Sequence, residues 1–182
     1  AGDVNVELFD KDTPQTVANF YNYVNDGRFN NTIFHRLVSS FVLQGGGFKF
    51  DDAANTFPSV TTDPAVQNEF SATRSNLTGT VAMAKLGSDP NSATSQFFFN
   101  LADNSSNLDN QNGGFTVFGR LVGSSDTTVV NSLASTPTQD KSSTNGAFTD
   151  LPLKNYTGTT FPTDTTAANF LRITGIDTVR RD

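Results

Sequence analysis

The sequence has no cysteine and a single histidine among its 182 residues. Without cysteine, disulfides, thiol nucleophiles and cysteine-ligated metals are excluded. A single histidine cannot build a multi-histidine metal site or proton relay. Acidic residues outnumber basic ones by 18 to 12, and the resulting net charge of −6 argues against general affinity for nucleic-acid phosphates or anionic membranes. No apolar run approaches the ~20 residues that a bilayer-spanning helix needs.

Phenylalanine is the abundant apolar residue. The chain has 17 phenylalanines, one methionine and no tryptophan, so its core must be built mainly from Phe, Val and Leu. The polar residues are largely Asn, Thr, Ser and Asp, which compete with helical hydrogen bonds and favour strands, turns and caps. The length fits one domain, residues 1–182, and we expect a mainly β fold.

Apolar alternation and β-prone runs predict strands along much of the chain. The predicted strands cover residues 4–9, 32–37, 41–44, 80–84, 96–101, 116–122 and 170–176. The simplest arrangement is an antiparallel barrel in which the first and last strands pair and so remove open edges. Residues 135–168 are rich in Ser, Thr, Gly and Pro, and we interpret them as a long loop excursion rather than a separate domain.

Two helices are predicted. The first begins at Thr13-Pro14, because a threonine hydroxyl caps free N–H groups and proline suits the first helical position; Gly27 ends it. Asp126 is predicted to cap the second helix. The apolar faces of the two helices consist of Val17, Phe20, Tyr21 and Val24, and of Val129, Val130 and Leu133.

Alternation on two strands predicts that an arginine, a glutamine and apolar side chains converge on one surface, and a third strand carries a further glutamine. Arg36 shares a strand face with Phe34, whereas His35 points the opposite way. On the two other strands, the residues that share a face are Val42 with Gln44 and Gln96 with Phe98.

Four sequence blocks then identify a family resemblance. The blocks FHRLVSSFVLQGGGF, GTVAMA, NSATSQFFFN and FTVFGRL resemble those of cyclophilins, the cyclosporin-type peptidyl-prolyl cis–trans isomerases. Their order and spacing match over residues 3–133, residues 170–176 are similar to the family's last strand, and the run SATSQFFFN is closer to bacterial members. The resemblance implies an eight-stranded antiparallel β-barrel capped by two α-helices.

The resemblance also implies site residues. Arg36 matches the catalytic arginine, and Phe41 and Gln44 match its neighbours. The residues that match the peptide-binding segment and the pocket are Val42, Ala84, Lys85, Gln96, Phe98, Leu108 and Phe115.

Several matched positions depart from the common pattern. Val42 replaces the usual methionine, and Lys85 replaces an asparagine common in eukaryotic members. Phe115 stands where many members have histidine. Asn107 stands where eukaryotic cyclophilins place the tryptophan that contacts cyclosporin, so we predict weak cyclosporin binding with catalysis retained.

The implied reaction suits this residue set. Rotation about a peptide bond crosses a barrier of ~18–20 kcal/mol that arises from C–N resonance. No bond breaks, so no nucleophile, metal, general base or cofactor is required. We expect Arg36 to stabilise the twisted state electrostatically, since a guanidinium never loses its proton, and Gln44 to orient it. The apolar residues would hold the proline ring.

Two other functions remain open at this point. One is a binding module that recognises proline-containing peptides without turnover. The other is a hydrolase built on His35 and Ser39, which lacks an acid in a triad-like motif and has unfavourable strand geometry.

The expected partners are proline-containing peptides and unfolded protein clients, with no nucleic acid and no membrane, and the chain is expected to be monomeric. A role in assisting protein folding would follow, because slow proline steps limit many folding reactions. The absence of cysteine, the acidity and the Asn/Thr/Ser-rich surface suit a periplasmic or secreted protein, although a cytoplasmic protein can have the same composition.

Overall fold

The computed structural model describes residues 2–179, and the chain is mainly β within this range. The strands are β1 (Val6–Leu8), β2 (Thr32–Ile33), β3 (Arg36–Val38), β4 (Val42–Gly45), β5 (Phe48–Lys49), β6 (Thr80–Met83), β7 (Phe97–Asn100), β8 (Val117–Leu121), β9 (Thr138–Gln139), β10 (Leu151–Pro152) and β11 (Arg172–Ile173). The helices are α1 (Pro14–Asn25), α2 (Ser105–Leu108) and α3 (Ser124–Ala134), followed by a 3-10 turn at Ala167–Asn169. The mainly β prediction and both predicted helices are confirmed, whereas the one-turn helix α2 was not predicted.

The strands form three antiparallel sheets. The largest has the order β1-β8-β6-β7-β4-β3, the second has the order β11-β2-β5, and β9 pairs with β10. The predicted pairing of the first and last strands is wrong, because β1 pairs with β8 and β11 pairs with β2.

The predicted strand 32–37 is divided into β2 and β3, and its consecutive residues pair with different partners. The Phe34 N–H donates to the Leu171 carbonyl, and the next N–H, of His35, donates to the Gln44 carbonyl. Gly46 separates β4 from β5 with a φ of 81°, and a Cβ there would lie 2.6 Å from the Ser95 carbonyl oxygen. Only glycine fits such a position. The β3–β4 hairpin therefore continues from the six-stranded sheet into the three-stranded one as β2 and β5.

A distant carboxylate caps helix α1. The Thr13 hydroxyl, which the sequence predicted as the cap, instead donates to the Phe9 carbonyl at 2.9 Å. Glu69 accepts from the N–H groups of Gln15 and Thr16 at 3.2 and 2.8 Å. A carboxylate at this end satisfies free N–H groups and opposes the helix dipole. The predicted helix start at Thr13-Pro14 is confirmed, whereas the prediction that the Thr13 hydroxyl caps free N–H groups is wrong.

Helix α3 begins at Ser124 with Gly123 as its N-cap, so Asp126 lies two residues inside the helix rather than at the predicted cap position and caps it by accepting from the N-cap backbone. Asp126 accepts from the Gly123 N–H at 2.9 Å through Oδ2 and from the Asn5 N–H at 2.8 Å through Oδ1. The hydrogen bond from the Asn5 N–H is the main reason that the pKa of Asp126 is lowered. The same carboxylate thus caps α3 and ties it to the chain preceding β1.

The main core is aromatic, as the composition predicted. The Phe20 ring of α1 lies 5.0 Å from the Phe29 ring, 5.5 Å from the Phe97 ring and 5.2 Å from the Phe118 ring. Offset and edge-to-face contacts of this kind stabilise aromatic clusters beyond simple area burial. They fix α1 against β7 and β8. None of the helices between residues 2 and 179 has the length and apolar character needed to cross a membrane.

The predicted excursion, residues 135–168, supplies part of a second apolar cluster. Its buried members are Phe148, Leu151, Leu153 and Tyr156, and they pack with Ile33, Phe50 and Phe170. Within the excursion, the Tyr156 hydroxyl donates to Asp164 at 2.8 Å. The segment is therefore packed onto the sheet through its own hydrophobic side chains, and the Leu37 N–H donates to the Asp150 carbonyl at 2.9 Å.

Candidate functional site

Three neighbouring strands place Arg36, Gln44 and Phe98 in one row. Arg36 pairs with Gln44 across β3 and β4, and Gln44 pairs with Phe98 across β4 and β7. Residues that pair directly across antiparallel strands present their side chains on the same sheet face. The structure therefore brings these three predicted residues together.

An apolar cluster extends from Phe98. Its buried members are Val42, Ala82, Phe98, Leu108 and Val117, and its partly buried members are Phe9, Phe41, Ala84 and Phe115. It contains six of the residues that the resemblance placed in the site. Sequence reasoning missed Ala82, which pairs with Phe98, although alternation from Ala84 on the same segment was the available signal.

The two glutamines contact each other. The Gln44 Nε2 atom donates to the Gln96 Oε1 atom at 2.8 Å. Gln96 in turn lies against Gly47, where a Cβ would be 2.7 Å from the glutamine Nε2 atom. In this arrangement the Gln44 amide is directed to Gln96, and the expectation that it orients Arg36 stays a prediction.

The Arg36 guanidinium is accessible. Its side chain is 33% exposed, and its Nε atom lies 3.8 Å from the Asp150 Oδ2 atom. A partly exposed pair at this distance is weak and leaves most of the guanidinium donors free. Arg36 therefore offers a permanent positive charge on the same sheet face as the apolar cluster.

His35 lies on the opposite side of the strand, as predicted. It is 1% exposed, and its ring contacts the Phe48 ring at 4.9 Å. Burial, and then the nearby Arg36 charge, lower its pKa to about 4. A neutral, buried imidazole facing aromatic rings is a core residue here.

The Lys85 side chain points toward the neighbouring turn at residues 112–114. Its ammonium donates to the carbonyls of Asn112 and Gly114, each at 2.6 Å, and lies 4.8 Å from the centroid of the Phe115 ring. Burial lowers its pKa. The side chain is thus engaged within the protein, while the neighbouring Ala84 belongs to the apolar cluster.

A buried amide network supports the cluster from behind. Asn104 donates to the Phe41 carbonyl at 2.9 Å, and Asn76 donates to the Phe115 carbonyl at 3.1 Å. Asn100 connects the two by donating to Asn76 at 3.1 Å and accepting from Asn104 at 2.8 Å. Satisfied buried networks rigidify the residues they hold. Two partly buried aromatic residues of the cluster, Phe41 and Phe115, are therefore fixed through their backbones.

The arrangement combines a fixed cation, two neutral amides and an apolar surface. It offers no convergent nucleophile and base, because His35 is buried while Ser39 is exposed. In the described part of the chain, no three His, Asp or Glu side chains are placed to hold a metal ion. Such a site suits the binding of an apolar ring and the electrostatic stabilisation, by the cation, of a neutral polar group beside that ring.

A separate surface cavity of about 440 Å³ contains none of the predicted site residues. It is lined by Phe70, Ala72, Ser75, Ser105, Ser106, Asp109 and Asn110. The residue row and apolar cluster, rather than this cavity, form the candidate site.

Comparison with known proteins identifies the family of the chain. The model of the family described as cyclophilin type peptidyl-prolyl cis-trans isomerase/CLD matches residues 1–161. A peptidyl-prolyl cis-trans isomerase of Acinetobacter baylyi is 40% identical over 152 residues, which cover 83% of this chain and 74% of that protein. Peptidyl-prolyl cis-trans isomerase A of Dickeya dadantii is 44% identical over 124 residues, covering 67% of this chain and 62% of the relative.

The fold is also similar to solved structures. A cyclophilin-type peptidyl-prolyl cis-trans isomerase of Cryptosporidium parvum superposes with a TM-score of 0.63 at 25% identity, covering 84% of this chain and 85% of that one. A crystal structure of the same protein in the presence of the dipeptide Ala-Pro gives a TM-score of 0.60 at 26% identity, covering 83% and 90%.

Proposed function

The chain belongs to the family of cyclophilin-type peptidyl-prolyl cis-trans isomerases, and on that premise we propose that Arg36 is the residue through which it catalyses rotation about X–Pro bonds. The chain is an isomerase of this class, with the cyclophilin fold. The observation that supports the assignment to Arg36 is its place in one row with Gln44 and Phe98, beside the apolar cluster.

The chemistry follows from the electronic change during rotation. Twisting the bond removes C–N resonance, so the nitrogen lone pair becomes localised and the ~18–20 kcal/mol barrier is reached. A guanidinium directed at that nitrogen, or at the preceding carbonyl, interacts more strongly with the twisted state than with either planar isomer. Only such a difference accelerates the reaction. Two properties of Arg36 support this role: its guanidinium is always charged, and its side chain is accessible.

The apolar cluster would hold the proline ring. Phe98 and Leu108 are buried, while Phe41 and Phe115 are partly buried and so present surface that a ring can cover. Holding the ring while the preceding carbonyl moves divides the substrate into a fixed part and a rotating part. The Gln44–Gln96 pair offers neutral hydrogen-bonding groups beside Arg36 for the substrate backbone.

The substrates would be proline-containing segments of flexible or unfolded chains. One structural neighbour was crystallised in the presence of Ala-Pro, which supports recognition of this dipeptide unit. Uncatalysed X–Pro isomerisation takes tens to hundreds of seconds, slow enough to limit folding. A role in assisting protein folding follows from that rate. The absence of a cofactor requirement, monomeric state and extracytoplasmic location stay predictions from the sequence.

Exchange NMR on a short X–Pro peptide tests the function without a coupling protease. We expect cis–trans exchange peaks to appear at substoichiometric concentrations of the protein. Peptide binding without exchange would favour the alternative of a binding module and contradict isomerisation by this chain.

A further inference from the structure

The turn at residues 112–114 is conformationally demanding. Asn112, Gly113 and Gly114 have consecutive positive φ values of 48°, 74° and 75°. Asparagine tolerates this region better than most residues, and glycine adopts it freely. Gly114 also lies against the Phe70 ring, where a Cβ would be within 2.3 Å of a ring carbon. A turn with two glycines is entropically costly to order and needs external support.

Two side chains provide that support. Lys85 donates to the Asn112 and Gly114 carbonyls at 2.6 Å each. Asn68 donates to the Gly113 and Gly114 carbonyls at 2.9 and 3.0 Å. All three carbonyls of the turn therefore accept hydrogen bonds from side chains that are at least 27 residues away in sequence. The ammonium forms charge-assisted bonds, which are stronger than neutral ones.

The turn leads directly into Phe115. The Phe115 ring makes an edge contact with the Phe98 ring at 5.9 Å, and the Lys85 Nζ atom lies 4.8 Å from the Phe115 centroid. A cation over an aromatic face is attracted to it, most strongly where both are partly desolvated. Lys85 therefore fixes the backbone before Phe115 and also contacts its ring.

We propose that Lys85 is a positioning residue that sets the aromatic wall of the proline pocket by holding the 112–114 turn and the Phe115 ring. This inference rests on the proposed function of the apolar cluster. Lys85 does not act on the rotating bond. Its contribution is to the fit of the ring, and so to substrate affinity and to discrimination between rings of different size.

The test compares Lys85→Met with Lys85→Arg. Methionine keeps the length of the side chain but removes its donors and charge, whereas arginine keeps both. For Lys85→Met we expect KM for an X–Pro peptide to rise about five- to tenfold with kcat within twofold. The preference for proline over its six-membered homologue, pipecolic acid, should fall at least threefold. Lys85→Arg should retain a KM and a ring preference close to those of the wild type.

A matched control is available in the excursion. The Lys141 ammonium lies 5.3 Å from the Tyr156 ring and 5.0 Å from the Phe161 ring, outside the candidate site. Lys141→Met removes the same kind of contact and should leave KM and ring preference unchanged. Asn68→Ala, which loosens the same turn, should shift KM in the same direction as Lys85→Met.

The outcomes separate this inference from the proposed function. A fall in kcat at unchanged KM, or an unaltered ring preference in Lys85→Met, would overturn the positioning role. A wild-type protein without isomerase activity would overturn the function instead. In that case, amide hydrogen exchange still decides the positioning role: protection of the Gly114 and Phe115 N–H groups should fall in Lys85→Met, and unchanged protection would contradict it.

Discussion

The Arg36 Nε atom lies 3.8 Å from the Asp150 Oδ2 atom, so the long excursion places a carboxylate beside the arginine of the candidate site. The Asp150 carbonyl accepts from the Leu37 N–H at 2.9 Å, which anchors this part of the excursion to the edge strand β3. The predicted excursion, residues 135–168, thus reaches the immediate surroundings of Arg36.

Replacing Arg36 by alanine should abolish most of the activity. A preorganised charged donor typically contributes about 10²–10³-fold to a rate, so we expect kcat/KM of Arg36→Ala to fall by that order. Circular dichroism and thermal unfolding should be close to wild type, because the side chain is part-exposed and its one ion pair within residues 2–179 is weak. Retention of full activity by a folded Arg36→Ala protein would show that the mechanism is wrong.

Replacing Asp150 by asparagine should have a smaller effect. The two side chains are 33% and 42% exposed, and pairs of this kind contribute about 0–1 kcal/mol. Without the carboxylate the Arg36 side chain samples more rotamers. We therefore expect a two- to fivefold fall in kcat/KM and little change in stability. Added salt provides the control: at about 0.5 M, screening should lower wild-type kcat/KM toward the variant, which should itself respond weakly. Equal salt responses would contradict the role of the pair.

Local alternation was sufficient to predict one face of the site. The shared faces of Val42 with Gln44 and of Gln96 with Phe98 follow from the period of two in a strand, and the family blocks gave the residue roles to be tested. The structure adds the order of the strands, which places Gln44 between Arg36 and Phe98.

Contacts between distant segments were beyond sequence reasoning. Glu69 caps α1 from more than 50 residues away, and this contact displaced the local Thr13 cap. The approach of Asp150 to Arg36 and the engagement of Lys85 with the 112–114 turn depend in the same way on how loops pack. No periodic pattern encodes such pairings, because each partner would look like an ordinary surface residue in isolation.

The single histidine should make stability depend on pH in a narrow window. Burial holds the pKa of His35 at about 4, whereas in the unfolded chain it returns to about 6.5. Between these values the unfolded state binds more protons, so the free energy of unfolding falls as pH is lowered from about 6.5 to about 4. The loss should be on the order of 2–3 kcal/mol.

Urea unfolding of wild type and His35→Gln at several pH values between 4 and 7.5 measures this effect. Glutamine is similar in size and does not titrate, so the variant should lose most of the pH dependence in this window whatever its stability at pH 7. Identical slopes for the two proteins would contradict the assignment to His35.

Asn107 should make cyclosporin binding weak, and tryptophan at this position should strengthen it. Asn107 is exposed on α2, immediately before the buried Leu108 of the apolar cluster. It stands where the family resemblance places a tryptophan that contacts cyclosporin. A large aromatic anchor next to an apolar pocket commonly contributes ~1–2 kcal/mol or more, so Asn107→Trp should lower Kd for cyclosporin at least about fivefold while kcat/KM stays near wild type.

Isothermal titration of cyclosporin into the wild type and two variants measures this change. Asn110→Trp is the matched control, since Asn110 is also exposed near the end of α2 but lines the separate surface cavity instead of the cluster. An indole there adds the same apolar area away from the site and should leave Kd unchanged. If both tryptophans tighten binding equally, the gain is nonspecific. If the wild type already binds as tightly as Asn107→Trp, the cluster itself is sufficient and the proposed consequence of Asn107 is wrong.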